Sequence, residues 1–101
     1  MKKIYISGKI SGLSEKEYQL NFMWAEEEVK YYAGFGKVKI INPCDIKPFL
    51  GRKTWFYFMI ADIWQLIKCN EIYMLNNWID SRGARIELAI AILMKKIIRL
   101  Q

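Results

Sequence analysis

EIYMLNNWIDSRGARIELAIAILMKKIIRL, residues 71–100, holds the decision about the fold. Its first five residues, Glu71 to Leu75, form a short β-rich run. Asn76 to Asp80 reads as a loop. Ser81 or Asp80 is placed to cap a helix that reaches about Met94. Lys96 to Leu100, KIIRL, is β-rich again. Strand, helix and strand within roughly 30 residues make a βαβ unit, and therefore two parallel strands.

The pattern repeats toward the N-terminus. Lys3 to Ser7, KIYIS, is a first strand, and Gly8 and Gly12 punctuate the loop after it. Ser14 and Glu17 have the spacing of a capping box. Tyr18, Phe22, Ala25, Val29 and Tyr32 then mark one apolar stripe of a helix, flanked by solvated Glu26, Glu27 and Glu28. Gly34 and Gly36 end that helix. Lys37 to Ile41, KVKII, is a second strand, stopped at Asn42-Pro43. Residues 42–53 form a loop. Thr54 is the expected N-cap of a helix to about Lys68, which holds Trp55, Phe56, Phe58, Met59, Ile60, Ile63, Trp64, Leu66 and Ile67. A helix apolar nearly all round is expected to be buried on more than one side.

The order β-α-β-α-β-α-β, with right-handed crossovers, implies an α/β fold. The expectation is a three-layer α/β/α sandwich, flavodoxin- or Rossmann-like, with a parallel sheet of about four strands in the order 2-1-3-4. The length of 101 residues fits one domain spanning 1–101.

Composition narrows the function. The chain has no His, which excludes Ser-His-Asp and Cys-His catalysis. Cys44 and Cys69 lack CxxC spacing, so no zinc site is expected; they read as two buried, reduced thiols of a cytoplasmic chain. The N-terminal apolar run is too short for a signal peptide, and no stretch is long enough to span a membrane. The net charge of +6 first suggests nucleic acid. The basic residues are scattered, however, with no run longer than two, which argues against a polymeric partner and fits a small anionic ligand. A hydrophobic share of 53% on so short a chain points to some apolar surface at a subunit interface, with a homo-oligomer, dimer or higher, as the expectation.

In open parallel sheets, ligands bind at the carboxyl ends of the strands. Three features fall there. YISGKISG, residues 5–12, offers backbone amides beside Lys9; it is neither GxGxxG nor a P-loop, and an ordinary glycine-containing βα turn is the alternative. Asp62 stands among Phe58, Met59, Ile63 and Leu66, where a carboxylate is costly unless paired; a solvent-exposed notch is the alternative. Ser81-Arg82-Gly83 opens a helix whose free N–H groups favour an anion. Glu87 follows about two turns into that helix, with small neighbours Gly83, Ala84 and Ala91. Leu88, Ile92 and, less directly, Ala84 are expected to seat the helix on the sheet, which would put Glu87 at the rim of the packed face. The alternative is a surface ion pair with Arg85 or Lys95.

IYISGKISG, the W-x-x-x-M-x-x-D helix (Trp55, Met59, Asp62) and IYMLNNWIDSRGARIE together resemble a family of short proteins common in bacteria and phages, DUF4406-like, over nearly the whole chain. That family is similar to nucleoside 2-deoxyribosyltransferases and deoxynucleoside 5′-monophosphate N-glycosidases. The resemblance implies cleavage or transfer of the N-glycosidic bond of a 2′-deoxynucleoside or its 5′-monophosphate, with no cofactor and no metal. It implies Glu87 as nucleophile, Tyr5 as its hydrogen-bond partner, Asp62 orienting the sugar or Glu87, and Asp80 assisting or binding the leaving base. Gly8 matches the glycine after the strand Tyr; Gly12, Ser81 and Gly83 complete the substrate-binding loops. Trp78, and less directly Trp55, would stack on the base, and Ser11, Lys9 and Arg82 would receive a 5′-phosphate. Asn70 stands where the enzymes often carry an acid, and Lys9 where the nucleotide-cleaving members have a small hydroxyl residue. The enzymes continue past the fourth strand, and a neighbouring subunit completes their pocket. Two other readings remain open: a non-catalytic nucleotide-binding module, and a phage or mobile-element protein that binds nucleic acid or a protein partner.

Overall fold

A computed structural model of the chain describes residues 2–34, 36–45 and 55–101, with the side chains of 45 and 55–58 excepted. The elements are β1 (Lys2–Ser7), α1 (Glu15–Ala33), β2 (Val38–Ile41), α2 (Trp55–Ile67), β3 (Glu71–Met74), α3 (Arg82–Leu93) and β4 (Ile97–Leu100), with short 3₁₀ turns at Pro43–Asp45 and Trp78–Asp80. Expected element ends differ from these by a residue or so, as fraying termini do. Thr54 and the side chains of Trp55, Phe56 and Phe58 lie outside the described residues.

The sheet is wholly parallel, in the order β2-β1-β3-β4. The two central strands read as continuous buried runs, Ile4 to Ser7 and Glu71 to Met74. That is the pattern of a strand covered on both faces. Ile4, Ile6, Tyr73 and Leu75 pack against Phe22, Ala25 and Val29 of α1. Tyr5, Ile72 and Met74 face the other way, against Leu66 of α2 and Ala84 and Ala91 of α3. So α1 covers one face, and α2 and α3 share the other. β1 and β3 are neighbours whose following helices leave to opposite faces, which opens a crevice at their carboxyl ends.

Local signals hold the helices in place. Ser14 and Glu17 close the full capping box at the start of α1. Gly34 caps its end at φ 91°, a conformation that costs a β-carbon dearly. Glu71, completely buried, is paired with Lys2 at 2.6 Å and Arg99 at 3.3 Å, tying β1, β3 and β4 together at the amino end of the sheet.

α2 departs from expectation. Met59 and Leu66 are buried, but Ile60, Trp64 and Ile67 are 54%, 60% and 40% exposed. They recur at i, i+4 and i+7, so they form one outer stripe that no other part of the described chain covers. The thiols differ too: Cys69 is buried, whereas Cys44 is half-buried, and the two are not joined in a disulfide. No helix among the described residues is long and apolar enough to cross a membrane.

Candidate active site

Alternation along β1 sends Tyr5 and Ser7 to the face shared by α2 and α3. Both are inaccessible to solvent. Above them runs α3, whose N-cap Ser81 accepts the Ala84 N–H at 3.1 Å. One turn after Gly83 the helix places Glu87. The Tyr5 hydroxyl donates to Glu87 Oε2 at 2.6 Å, and the Ser7 hydroxyl donates to Oε1 at 2.7 Å. Glu87 is only 4% exposed, and what remains open faces a cavity of about 580 Å³. Among the described residues, no Lys or Arg forms an ion pair with it.

The cavity lies at the carboxyl ends of β1 and β3. Gly8, Ile10 and Ser11 line it from the loop after β1, and Tyr18 from α1. Pro43 and Cys44 close it beyond β2, and Met59 and Asp62 from α2. Asp80, Ser81, Arg82, Gly83, Ala84 and Arg85 surround the start of α3. Its inner end is therefore acidic and its mouth carries two guanidinium groups.

Burial dominates the protonation of the inner carboxyls. It lifts Glu87 from an ordinary 4.5 to about 7, against the opposing pull of the Tyr5 and Ser7 hydrogen bonds, which favour the charged form. Burial first and the nearby Glu87 charge next lift Asp62 from 3.8 to about 8. The push is one-sided because Asp62 still holds its proton when Glu87 ionises. Tyr5 is raised well above 10.0 by burial first and by Glu87 and Asp62 next, so it stays a donor. Two carboxyls in one cavity thus separate into one that ionises first and one that keeps its proton near neutrality.

Two glycines make the approach possible. A β-carbon on Gly8 would fall inside the Leu75 side chain, so β1 and β3 converge there only because position 8 has none. A β-carbon on Gly83 would come within 2.9 Å of Met59 Sδ. Met59 and Asp62 lie on one face of α2 at i and i+3, and Gly83 and Glu87 on one face of α3 at i and i+4. The contact of Met59 with Gly83 therefore sets how close Asp62 stands to Glu87.

Eight of the expected residues meet at the cavity: Glu87, Asp62, Asp80, Gly8, Ser11, Ser81, Arg82 and Gly83. Tyr5 lies beneath Glu87. Lys9, Gly12 and Trp78 are not part of its wall. The Lys9 N–H is bound by Asn77 Oδ1 at 3.0 Å, Gly12 forms a turn at φ 86°, and Trp78 packs against the core under α3. Trp55's side chain lies outside the described residues. The packed face of α3 corrects the expectation. Ala84, Glu87 and Ala91 are its buried residues and Leu88 packs partly buried against the same core, as expected of Ala84 and Leu88, while Ile92 is 56% exposed. The large Tyr5, Ile72 and Met74 fill the space beneath, so small residues seat the helix and Glu87 lies in the middle of the packed face. Sequence reasoning also missed Ser7, Met59 and Arg85 as site residues. Ser7 had a signal, since it is two residues from Tyr5 and so shares its face.

Two outcomes follow for stability. Gly83→Val is expected to cost roughly 1–3 kcal/mol by overpacking against Met59. Combining it with Met59→Ala should cost less than the two separate losses together, as read by urea unfolding. Asp62 and Glu87 both ionise later in the folded chain than in an unfolded one. Between about pH 4 and pH 8 the folded state therefore binds more protons, and stability falls as pH rises. Asp62→Asn cannot ionise, so its melting temperature should exceed that of the unaltered chain near pH 8 and match it near pH 4; an equal difference at both would contradict this account.

Comparisons with known proteins agree with this architecture. No curated protein matches the sequence. Among solved structures, the chain is similar to a 2-desoxiribosyltransferase from Leishmania mexicana, with a TM-score of 0.66 and 16% identity. The match covers 99% of this chain and 63% of that one, so the chain spans less than two thirds of its length. At that identity the likeness is one of fold. A family model described as "Domain of unknown function (DUF4406)" matches residues 2–99, and the chain, parallel sheet and cavity included, belongs to that family.

Proposed function

We propose that the cavity binds a nucleoside or nucleotide, and that Glu87 cleaves or transfers its N-glycosidic bond. The observation that carries this reading is the buried Glu87 carboxylate, held by Tyr5 and Ser7 and facing a ligand-sized cavity. The fold shared with a 2-desoxiribosyltransferase supports it by analogy. In a retaining mechanism a Glu87 oxygen attacks C1′ as the bond from C1′ to the base nitrogen breaks. The leaving base takes a proton, and Asp62 is the carboxyl that still carries one near neutrality. The resulting glycosyl ester is resolved by water, which yields free sugar, or by a second base, which yields a new nucleoside. Asp80, exposed at the mouth, contacts the base. Ser11, Ser81 and Arg82 hold the sugar or its 5′-phosphate beside the free N–H groups of α3.

The test incubates the protein with 2′-deoxynucleosides and their 5′-monophosphates and follows free or exchanged base by chromatography. Turnover is expected for at least one of them, with Glu87→Ala slower on the order of 10³-fold. No release or exchange at high enzyme would sink the reading. The kcat/KM profile should rise through about pH 7 as Glu87 ionises and fall through about pH 8 as Asp62 loses its proton.

The working form is a dimer or higher oligomer in the cytoplasm. The exposed stripe of Ile60, Trp64 and Ile67 and the open Ile97, Ile98 and Leu100 of β4 support the first point, and two cysteines not joined in a disulfide the second. Sedimentation at micromolar concentration is expected to show the oligomer; a monomer alone would remove it.

A further inference from the structure

We infer that Ser7 is a second positioning residue, which fixes the Glu87 carboxylate in its attacking orientation together with Tyr5; the inference rests on the reading of Glu87 as nucleophile. A glutamate ends in a broad, roughly two-fold torsion. One hydrogen bond to one oxygen leaves the carboxylate free to rock about that contact. The two donors here bind different oxygens, Tyr5 on Oε2 and Ser7 on Oε1, and so fix the plane. The remaining lone pairs then point in one direction only.

The mount is rigid. Ser7 is the last residue of a central strand, and no part of it is accessible. Its carbonyl accepts the Leu75 N–H at 2.8 Å, and it stands opposite Met74 in the β1–β3 register. Its hydroxyl therefore starts from a backbone that cannot drift. An apolar side chain would suit a fully buried strand position better, and a hydroxyl there is costly unless bonded. Its described partner is Glu87.

The choice of hydroxyls is also chemical. A guanidinium in this place would neutralise the carboxylate and weaken it as a nucleophile, as the paired Glu71 illustrates at the other end of the sheet. Two neutral donors orient the group and leave its charge intact. Tyr5 and Asp62 are the titratable groups coupled to Glu87, while Asp80, Arg82 and Arg85 share its cavity; all of them are unaltered by a change at position 7.

The test compares Ser7→Ala and Ser7→Cys with the unaltered protein. Cysteine keeps the size of serine but is a weak donor, so it replaces the packing and not the hydrogen bond. The Glu87 titration midpoint is read by carbon NMR on protein labelled at glutamate carboxyls. Losing a hydrogen bond to the charged form should raise that midpoint by about one pH unit or more in both variants. The acid limb of kcat/KM should move up by the same amount. kcat should fall roughly tenfold to a hundredfold, with KM changed far less, because a mispositioned nucleophile loses reaction and not binding.

An unmoved midpoint in Ser7→Ala, or a Ser7→Cys protein with unaltered kcat and midpoint, overturns the inference while leaving Glu87 as nucleophile. A midpoint that moves without any change in kcat overturns it as well. An unaltered protein that turns over no substrate defeats the reading of Glu87 itself, and the positioning role with it, whatever the midpoint does.

Discussion

Everything in this chain is arranged around one awkward group, a carboxylate packed into the interface between a helix and a sheet with two hydroxyls for company. Removing such a charge from water is expensive, and hydrogen bonds recover only part of the cost. The same molecule shows the other solution at the opposite end of the sheet. Glu71 is just as buried, but Lys2 and Arg99 meet it, and it serves to bind three strands together. Glu87 receives no such neutralisation among the described residues. A buried acid left without a cation in this way is the observation on which the proposed role of Glu87 rests.

The surrounding architecture follows from bringing two central strands to one point. The order β2-β1-β3-β4 sends the helix after β1 to one face and the helix after β3 to the other. The crevice between them receives the start of α3. Gly8 lets the β1 and β3 ends converge, and Gly83 lets α2 approach α3. Neither glycine is there for a left-handed backbone. Each is there because a β-carbon would occupy space a neighbour needs, and in both cases the neighbour lies beside the carboxylates.

The fold was largely legible in the residues. Each strand is a short β-rich run, α1 and α3 have recognisable starts at Ser14 and Ser81, and the capping box at Ser14 and Glu17 forms as the spacing requires. The site was legible unevenly. Glu87 and Asp62 stood out as acids in apolar company, and helix periodicity brought Gly83 beside Glu87. The partnership with Tyr5 came from a family resemblance, since a strand tyrosine 82 positions away carries no local mark of its partner. Ser7 was passed over because a serine in a β-run looks ordinary until burial is known. The orientation of α3 was misjudged by residue size. Leu88 and Ile92 were given the seat beside Ala84, but Tyr5, Ile72 and Met74 already fill much of it, so the alanines and Glu87 go fully inward, Leu88 goes only partly so, and Ile92 goes out. Packing is a property of two surfaces, and a single helix shows only one of them.

The separation between the two halves of the clamp also bears on how the molecule comes into being. The hydroxyls of Tyr5 and Ser7 belong to β1, and their partner lies 82 and 80 positions later. β1 pairs first with β2, but its other neighbour, β3, is made only after α2. Such distant pairings form slowly, because a long loop must be closed before any contact rewards it. Until then one side of an apolar central strand stands open, and the cavity wall has no shape. The cavity is therefore complete only with α3 docked, since Glu87 reaches Tyr5 and Ser7 from that helix alone.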